Sequence, residues 1–269
     1  MVFKYYAVSS AGSQSPSRSI DNLKNDNICF TDIDIFNDPF EGVGEFFYKT
    51  SKEEDEYWKA IGINLAEGLC ERVREDSHNL LRFKQRIWCV TETYDNPLMW
   101  AHYAASHKGF CVGYAKESIQ KICTKFAPIK YCASPGQINT DNLDMNEIDD
   151  LLFVKSTDWS YEREWRALYT LAGNDVEHLD YCNYFQNCFK EDPKYLYAPH
   201  GYALMNNLEV LRSPQFILKK CPPLAVYLGL RMESETRHNI IAICREKCVD
   251  VHQMRQRPNS FALTAIQVL

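Results

Sequence analysis

The chain has 269 residues, a net charge of −6, 45% hydrophobic residues and 25% charged residues, proportions that suit a globular protein with a sizeable core. The acidic balance excludes a global basic field that would draw the protein to nucleic acid or to an anionic membrane surface. Eleven cysteines without a C-x-x-C pair, a beginning without a signal-like apolar run and no long apolar stretch predict reduced thiols, a cytoplasmic location and no membrane span.

In chain order, residues 3–8 read as a strand, followed by a loop of Ser, Gly and Pro at residues 9–19. Ser19 suits the N-cap of a short helix over residues 20–24, and residues 28–31 form a second strand. The run DIDIFNDPFEG, residues 32–42, is a loop shaped by the turn Asn37-Asp38-Pro39. Residues 52–86 are mostly helical, with Tyr57, Ile61, Leu65 and Leu69 on one face at i+4 spacing. A strand over 87–91 leads to the Asn96-Pro97 turn, a helix over 98–106 stopped by Gly109, and a buried strand over 110–114. A helix over 118–125 and a strand over 129–131 follow. Residues 134–150 read as a polar surface insertion, with a helix from Met145 into Phe153. Residues 159–171 form a strong strand, and residues 173–220 show no clear period. A strand over 224–229, a helix over 235–248 capped by Ser234, and strands over 249–254 and 261–268 close the chain. These elements predict one α+β domain over residues 1–269, with a central, mainly antiparallel sheet flanked by helices.

Three stretches concentrate chemistry. In DNPLMWAHYAASHKGFCVGY, residues 95–114, Trp100, His102, Tyr103 and Lys108 gather at the mouth of a strand, where binding groups commonly sit. In TDWSYEREWR, residues 157–166, strand periodicity puts Glu162 and Glu164 on one face, with Arg166 nearby as a candidate for holding substrate. Two carboxylates so placed either repel, raising one pKa toward acid–base use, or lie solvated on an edge strand paired with arginines. In FNDPFEG, residues 36–42, Asn37, Asp38 and Glu41 beside two Phe either hold a ligand hydroxyl or ammonium or fix the turn. His102 and His107 are five apart and do not share a helix face, and one i,i+4 cysteine pair, Cys244 and Cys248, is a weak signal, so no metal site is expected. No G-x-S-x-G, P-loop or G-x-G-x-x-G occurs, and Cys89 and Cys111 sit in apolar strands that disfavour a thiolate.

Lys4-Tyr5-Tyr6, NDPFE, MWAHYA followed by HKG, WSYEREWR and VYLGLRM (226–232), taken in order, resemble an uncharacterised bacterial family, a domain of unknown function. The order of parts also resembles that of ADP-ribosyltransferase toxins that modify DNA. The pieces in question are residues 4–8, Asn22-Leu23, residues 28–31, residues 97–103 and Glu164. This resemblance implies an ADP-ribosyltransferase-like fold and NAD as the bound dinucleotide, held by Lys4, Tyr6 and His102, with Tyr103 or Trp100 stacked on a ring. Glu164 would stabilise the charge on the ribose and orient a nucleotide or nucleic-acid acceptor. The first strand here lacks the His-x-Thr of those toxins, and Leu98 stands where they carry an Arg after Pro. The expectation is an intracellular effector enzyme in phage defence or a toxin. A non-catalytic nucleotide- or protein-binding sensor is the alternative. A second alternative is a metal-dependent nuclease, in which Asp38, Glu41, Glu162 and Glu164 meet round Mg²⁺.

Overall fold

Apolar runs bounded by polar turns set most of the strands, and the computed structural model describes residues 1–8, 18–47, 52–62, 64–139, 144–180, 201–204 and 209–269. The chain opens with β1 (Val2–Tyr6), α1 (Arg18–Lys24), β2 (Asn27–Thr31), β3 (Gly44–Phe47), α2 (Lys52–Ala60), α3 (Leu65–Lys84) and β4 (Gln85–Thr91). It continues with α4 (Pro97–Tyr103), β5 (Phe110–Tyr114), α5 (Lys116–Gln120), β6 (Lys125–Pro128), β7 (Lys130–Cys132), β8 (Gly136–Asn139) and α6 (Met145–Asp150). After these come β9 (Val154–Ser156), β10 (Glu164–Thr170), β11 (Glu177–Asp180), β12 (Gly201–Leu204) and β13 (Glu209–Arg212). The last elements are β14 (Phe216–Lys220), β15 (Ala225–Leu228), α7 (Ser234–Glu246), β16 (Asp250–Gln256) and β17 (Leu263–Gln267).

The expected α+β class holds. Ten strands form one sheet in the order β14-β2-β4-β1-β5-β15-β16-β17, with β10 paired to β4 and β6 to β10. Its pairs are antiparallel except β15 with β16, whose parallel pairing the crossover helix α7 makes possible. Among the described residues three clusters make the core. One packs Leu23 of α1, Ile119 of α5 and Ile240, Ile243 and Cys244 of α7 on strand residues such as Phe30, Trp88 and Val112. A second gathers Leu81 of α3, Ile138 and residues 151–153 on Ile87 and Leu168. The third packs Met99, Trp100 and Ala104 on Phe3, Tyr5 and Tyr227.

Several segments differ from the sequence expectation. The stretch read as a surface insertion supplies core: Ile138, Ile148, Leu151, Leu152 and Phe153 are buried, and β8 pairs in parallel with β3. Its polar residues are the outward half of elements whose apolar half is sparse but fully used. Residues 157–162 form a 3-10 turn rather than the start of a strand, so the strand begins at Glu164. The aperiodic region contains a separate three-stranded sheet, β11-β13-β12, in which β13 pairs with its neighbour in sequence β12 and with the distant β11. The expected loop at residues 9–17 lies outside the described residues.

Helix α3 runs straight into β4, and Arg86 makes that junction. Its buried guanidinium donates to the Arg82 carbonyl at 2.8 Å and the Gln85 carbonyl at 2.6 Å, which satisfies acceptors freed at the helix end. It also reaches the Pro214 carbonyl at 2.6 Å and the Ser213 hydroxyl at 2.9 Å, tying the start of β14 to β4.

Candidate functional site

The site forms because β4 has one complete edge and one divided edge. Along the complete edge β10 pairs at every position from Glu164 opposite Thr91 to Thr170 opposite Gln85. Along the other, β1 meets β4 at Phe3 and Thr91, and β2 meets it at Thr31 and Ile87. Between those two contacts β1 and β2 splay apart and a cavity of about 520 Å³ opens. That volume lies within the range of ordinary small-ligand pockets. β1 contributes Lys4 and Tyr6, α4 contributes His102 and Tyr103, and the loop before β3 contributes Asn37 and Glu41. Glu162, Glu164, Arg166 and Lys155 line the side beyond β4. Tyr6, His102 and Glu164, which come from distant parts of the chain, thus line one cleft.

Local geometry explains how the carboxylates converge. Asp38 accepts from the Phe40 backbone N–H at 3.0 Å, closing the Asn37-Asp38-Pro39 turn, and Glu41 leaves that turn toward Arg166. Arg163 ends the 3-10 turn in the left-handed region, φ 45°, so its side chain points outward toward Glu92. Glu162 and Glu164, on either side of it, both turn inward. The Glu162 carbonyl is fixed by the Thr91 hydroxyl at 2.5 Å, and the Glu164 N–H by the Tyr131 phenol at 2.8 Å.

The resulting cluster is an alternation of charge. Arg166 donates from both terminal nitrogens to Glu41, at 2.6 and 2.7 Å, and from Nε to Glu164 at 2.7 Å. Lys155 donates to Glu162 at 2.7 Å and to Glu164 at 3.1 Å, and lies 3.7 Å from Glu41. Tyr103 completes it with a short hydrogen bond from its phenol to Glu162, and Asn37 donates to that phenol at 3.4 Å. The two acids respond in opposite directions. Burial alone would raise the Glu164 pKa, but the Arg166 guanidinium and then the Lys155 ammonium hold its carboxyl well below the usual range. For Glu162 burial wins over Lys155 and Tyr103, and the pKa rises. The Lys155 pKa is raised, because the field of Glu164 and Glu162 outweighs the burial that opposes it.

Nine of the twelve residues expected to form a site line this cleft: Lys4, Asn37, Glu41, His102, Tyr103, Glu162, Glu164, Arg166 and Tyr6. Three do not. Trp100, expected to stack on a ligand ring, is fully buried with its indole N–H on the Tyr94 carbonyl at 2.7 Å. Its ring packs edge-on against Tyr5, so it supports the wall from behind. Lys108 lies exposed beyond the left-handed turn that follows α4, outside the cleft lining. Asp38 is buried and spends its carboxylate on the turn. The carboxylates expected round a metal ion therefore meet a different partner: Glu41, Glu162 and Glu164 surround Lys155 and Arg166, and Asp38 stays apart. Lys155 was missed. Its one sequence signal is a lone cation closing the apolar run Leu151-Leu152-Phe153-Val154.

No curated protein and no solved structure matches the chain. The expected resemblance to an uncharacterised family holds over one span: residues 99–167, from α4 to the carboxylates and guanidinium of the cleft, match the family described as "Protein of unknown function (DUF2971)".

Proposed function

We propose that the cleft binds NAD as a co-substrate and transfers its ADP-ribosyl group to a nucleotide or nucleic-acid acceptor. The observation that carries this reading is the meeting of Tyr6, His102 and Glu164 in one cleft. Lys4 suits the diphosphate and the phenolic and imidazole rings suit the bases. Leu98, exposed and outside the lining, offers no cation in place of the Arg of the toxins, so Lys4 takes that duty. As the bond between ribose and nicotinamide breaks, nicotinamide leaves with the electron pair and positive charge grows on the ribose. Glu164, kept ionised by Arg166 and Lys155, stabilises that charge in water-poor surroundings. Glu162, with its raised pKa and its hydrogen bond to Tyr103, receives the proton that the acceptor gives up as its new bond to the ribose forms. On this reading the protein is a cytoplasmic bacterial effector, acting in phage defence or as a toxin.

The test is nicotinamide release by the purified chain, together with growth arrest on expression in a bacterial host. Glu164→Gln keeps the shape of the side chain and removes its charge, and the expected loss of release is at least about a hundredfold. Equal release by the variant would remove Glu164 from the chemistry. A non-catalytic sensor is the second reading, and one observation favours it. Both oxygens of Glu164 already have cationic partners inside the protein, Arg166 at 2.7 Å and Lys155 at 3.1 Å. Saturable NAD binding without any nicotinamide release would select that reading.

A further inference from the structure

We infer that the cleft is built for a ligand with two separated charges, an anionic group held by Lys4 and a cationic ring held at Glu162. This deepens the dinucleotide reading and rests on it for the ligand's identity, while the charge pattern itself rests on the residues.

Lys4, on β1, is half-buried and lines the cleft. Among the described residues it has no hydrogen bond or ion pair, so its ammonium is available to an anion. Across β4 the balance runs the other way. Glu41, Glu162 and Glu164 share two cations, Lys155 and Arg166, and none of the five side chains is more than 6% exposed. One negative charge is left over in surroundings where an uncompensated charge is costly. The shortfall falls at Glu162. Arg166 meets Glu41 through two nitrogens, and Glu164 has both Arg166 and Lys155, whereas Glu162 has a share of Lys155 and a neutral phenol.

Aromatic rings lie near this end. His102 lies 6.3 Å from Tyr103 and 6.2 Å from Tyr161, centroid to centroid, and ring faces attract cations. A flat cationic ring stacked there, facing Glu162, supplies the missing positive charge. Lys4 stands on β1 and Glu162 in the 3-10 turn before β10, on opposite sides of β4, and among the described residues no ion pair joins them. A dipolar ligand neutralises both. Oxidised NAD has this pattern, with a pyridinium at one end and a diphosphate further along.

Calorimetry on the full chain tests the inference by comparing NAD⁺ with ADP-ribose, which keeps the diphosphate and lacks the cation. The wild-type chain is expected to bind NAD⁺ at least about tenfold more tightly. Glu162→Gln should bring that ratio close to one, and Lys4→Met should weaken both ligands by a similar factor. An unchanged ratio in folded Glu162→Gln overturns the inference. A second pair of probes, benzamidine and benzamide, shares a shape and differs in charge, and needs only the wild-type chain. Benzamidine bound about tenfold more tightly than benzamide, with no binding of NAD⁺ or ADP-ribose, sustains the charge inference and removes the dinucleotide reading. Benzamidine bound no more tightly than benzamide overturns the charge inference whatever NAD⁺ does.

Discussion

Arg166 is the residue on which the cluster turns, because each of its nitrogens is committed. Besides Glu41 and Glu164, it donates to the Leu152 carbonyl at 2.7 Å, which fixes the backbone just before β9 and Lys155. Replacing it with Met removes the guanidinium and leaves Glu41 and Glu164 buried with only Lys155 between them. Breaking a buried pair from one side costs about 3–5 kcal/mol, and chemical denaturation of Arg166→Met should show a loss of that order. Arg166→Lys should recover little, since one ammonium cannot span a carboxylate through two parallel donors and also reach Glu164. Adding Glu41→Gln to Arg166→Met should return part of the loss, because it removes one stranded charge. A loss under about 1 kcal/mol in Arg166→Met would mean that the carboxylates find other partners or protonate without strain. Strand periodicity carries Glu164 and Arg166, whose spacing is local, whereas Glu162 turns inward from a 3-10 turn through the left-handed Arg163. Lys155 and Glu41 reach them through tertiary folding, and pairings of that kind leave no periodic trace.

The turn between α4 and β5 is the element that sets one wall of the cleft. The sequence predicts a helix to Ser106 ended by Gly109. The helix instead stops at Tyr103, and Ala105, Ser106 and His107 all adopt left-handed φ values, 47°, 55° and 70°. No glycine or asparagine marks that reversal, so propensity could not find it. The tight packing explains it. The His107 carbonyl accepts from the Arg231 N–H and the Gly109 carbonyl from the Gly229 N–H, each at 2.9 Å, which pins the turn against the end of β15. Gly109 serves as a point of backbone approach rather than as a helix stop: a Cβ there would lie 2.0 Å from the Tyr6 carbonyl oxygen. Backbone cannot move aside as a flexible side chain does, so Gly109→Ala must push β1 away and carry Lys4 and Tyr6 with it. A cost at or above the upper end of the about 1–3 kcal/mol seen for overpacking is expected, with a lower melting temperature and weaker binding of NAD⁺. Gly173, whose added Cβ would meet nothing within 4 Å, is the control, and Gly173→Ala should stay within about 0.5 kcal/mol of wild type. If the two variants melt alike, the close approach at Gly109 does not govern β1.

At the scale of the whole molecule, the cleft is a seam in the large sheet. On one side β14 and β2 reach β4 through the Thr31–Ile87 contact, and on the other β1, β5, β15, β16 and β17 reach it through Phe3–Thr91. Sheet class and strand order on either side follow from patterns that the sequence carries in part. The seam does not, because it depends on β1 and β2 failing to pair with the middle of β4. Amides along a divided edge open at low free energy, so hydrogen exchange at Cys89, whose N–H faces away from β10, and at the facing parts of β1 and β2 should be faster than in the continuous β10–β4 ladder. A ligand that bridges the seam closes those openings. With NAD⁺ at about 100 times its Kd, binding adds about 2.7 kcal/mol to global stability. The added protection should concentrate at residues 2–6 and 27–31 and at Cys89 and Tyr103, and the β11-β13-β12 sheet, paired separately from the large one, should change least. Exchange followed by mass spectrometry resolves these segments. Protection confined to α7, β16 and β17 would place the ligand elsewhere, and the charge pattern of Lys4 and Glu162 would then need another partner. Protection along the seam that disappears in Lys4→Met would tie the closing of the sheet to the anion that Lys4 receives.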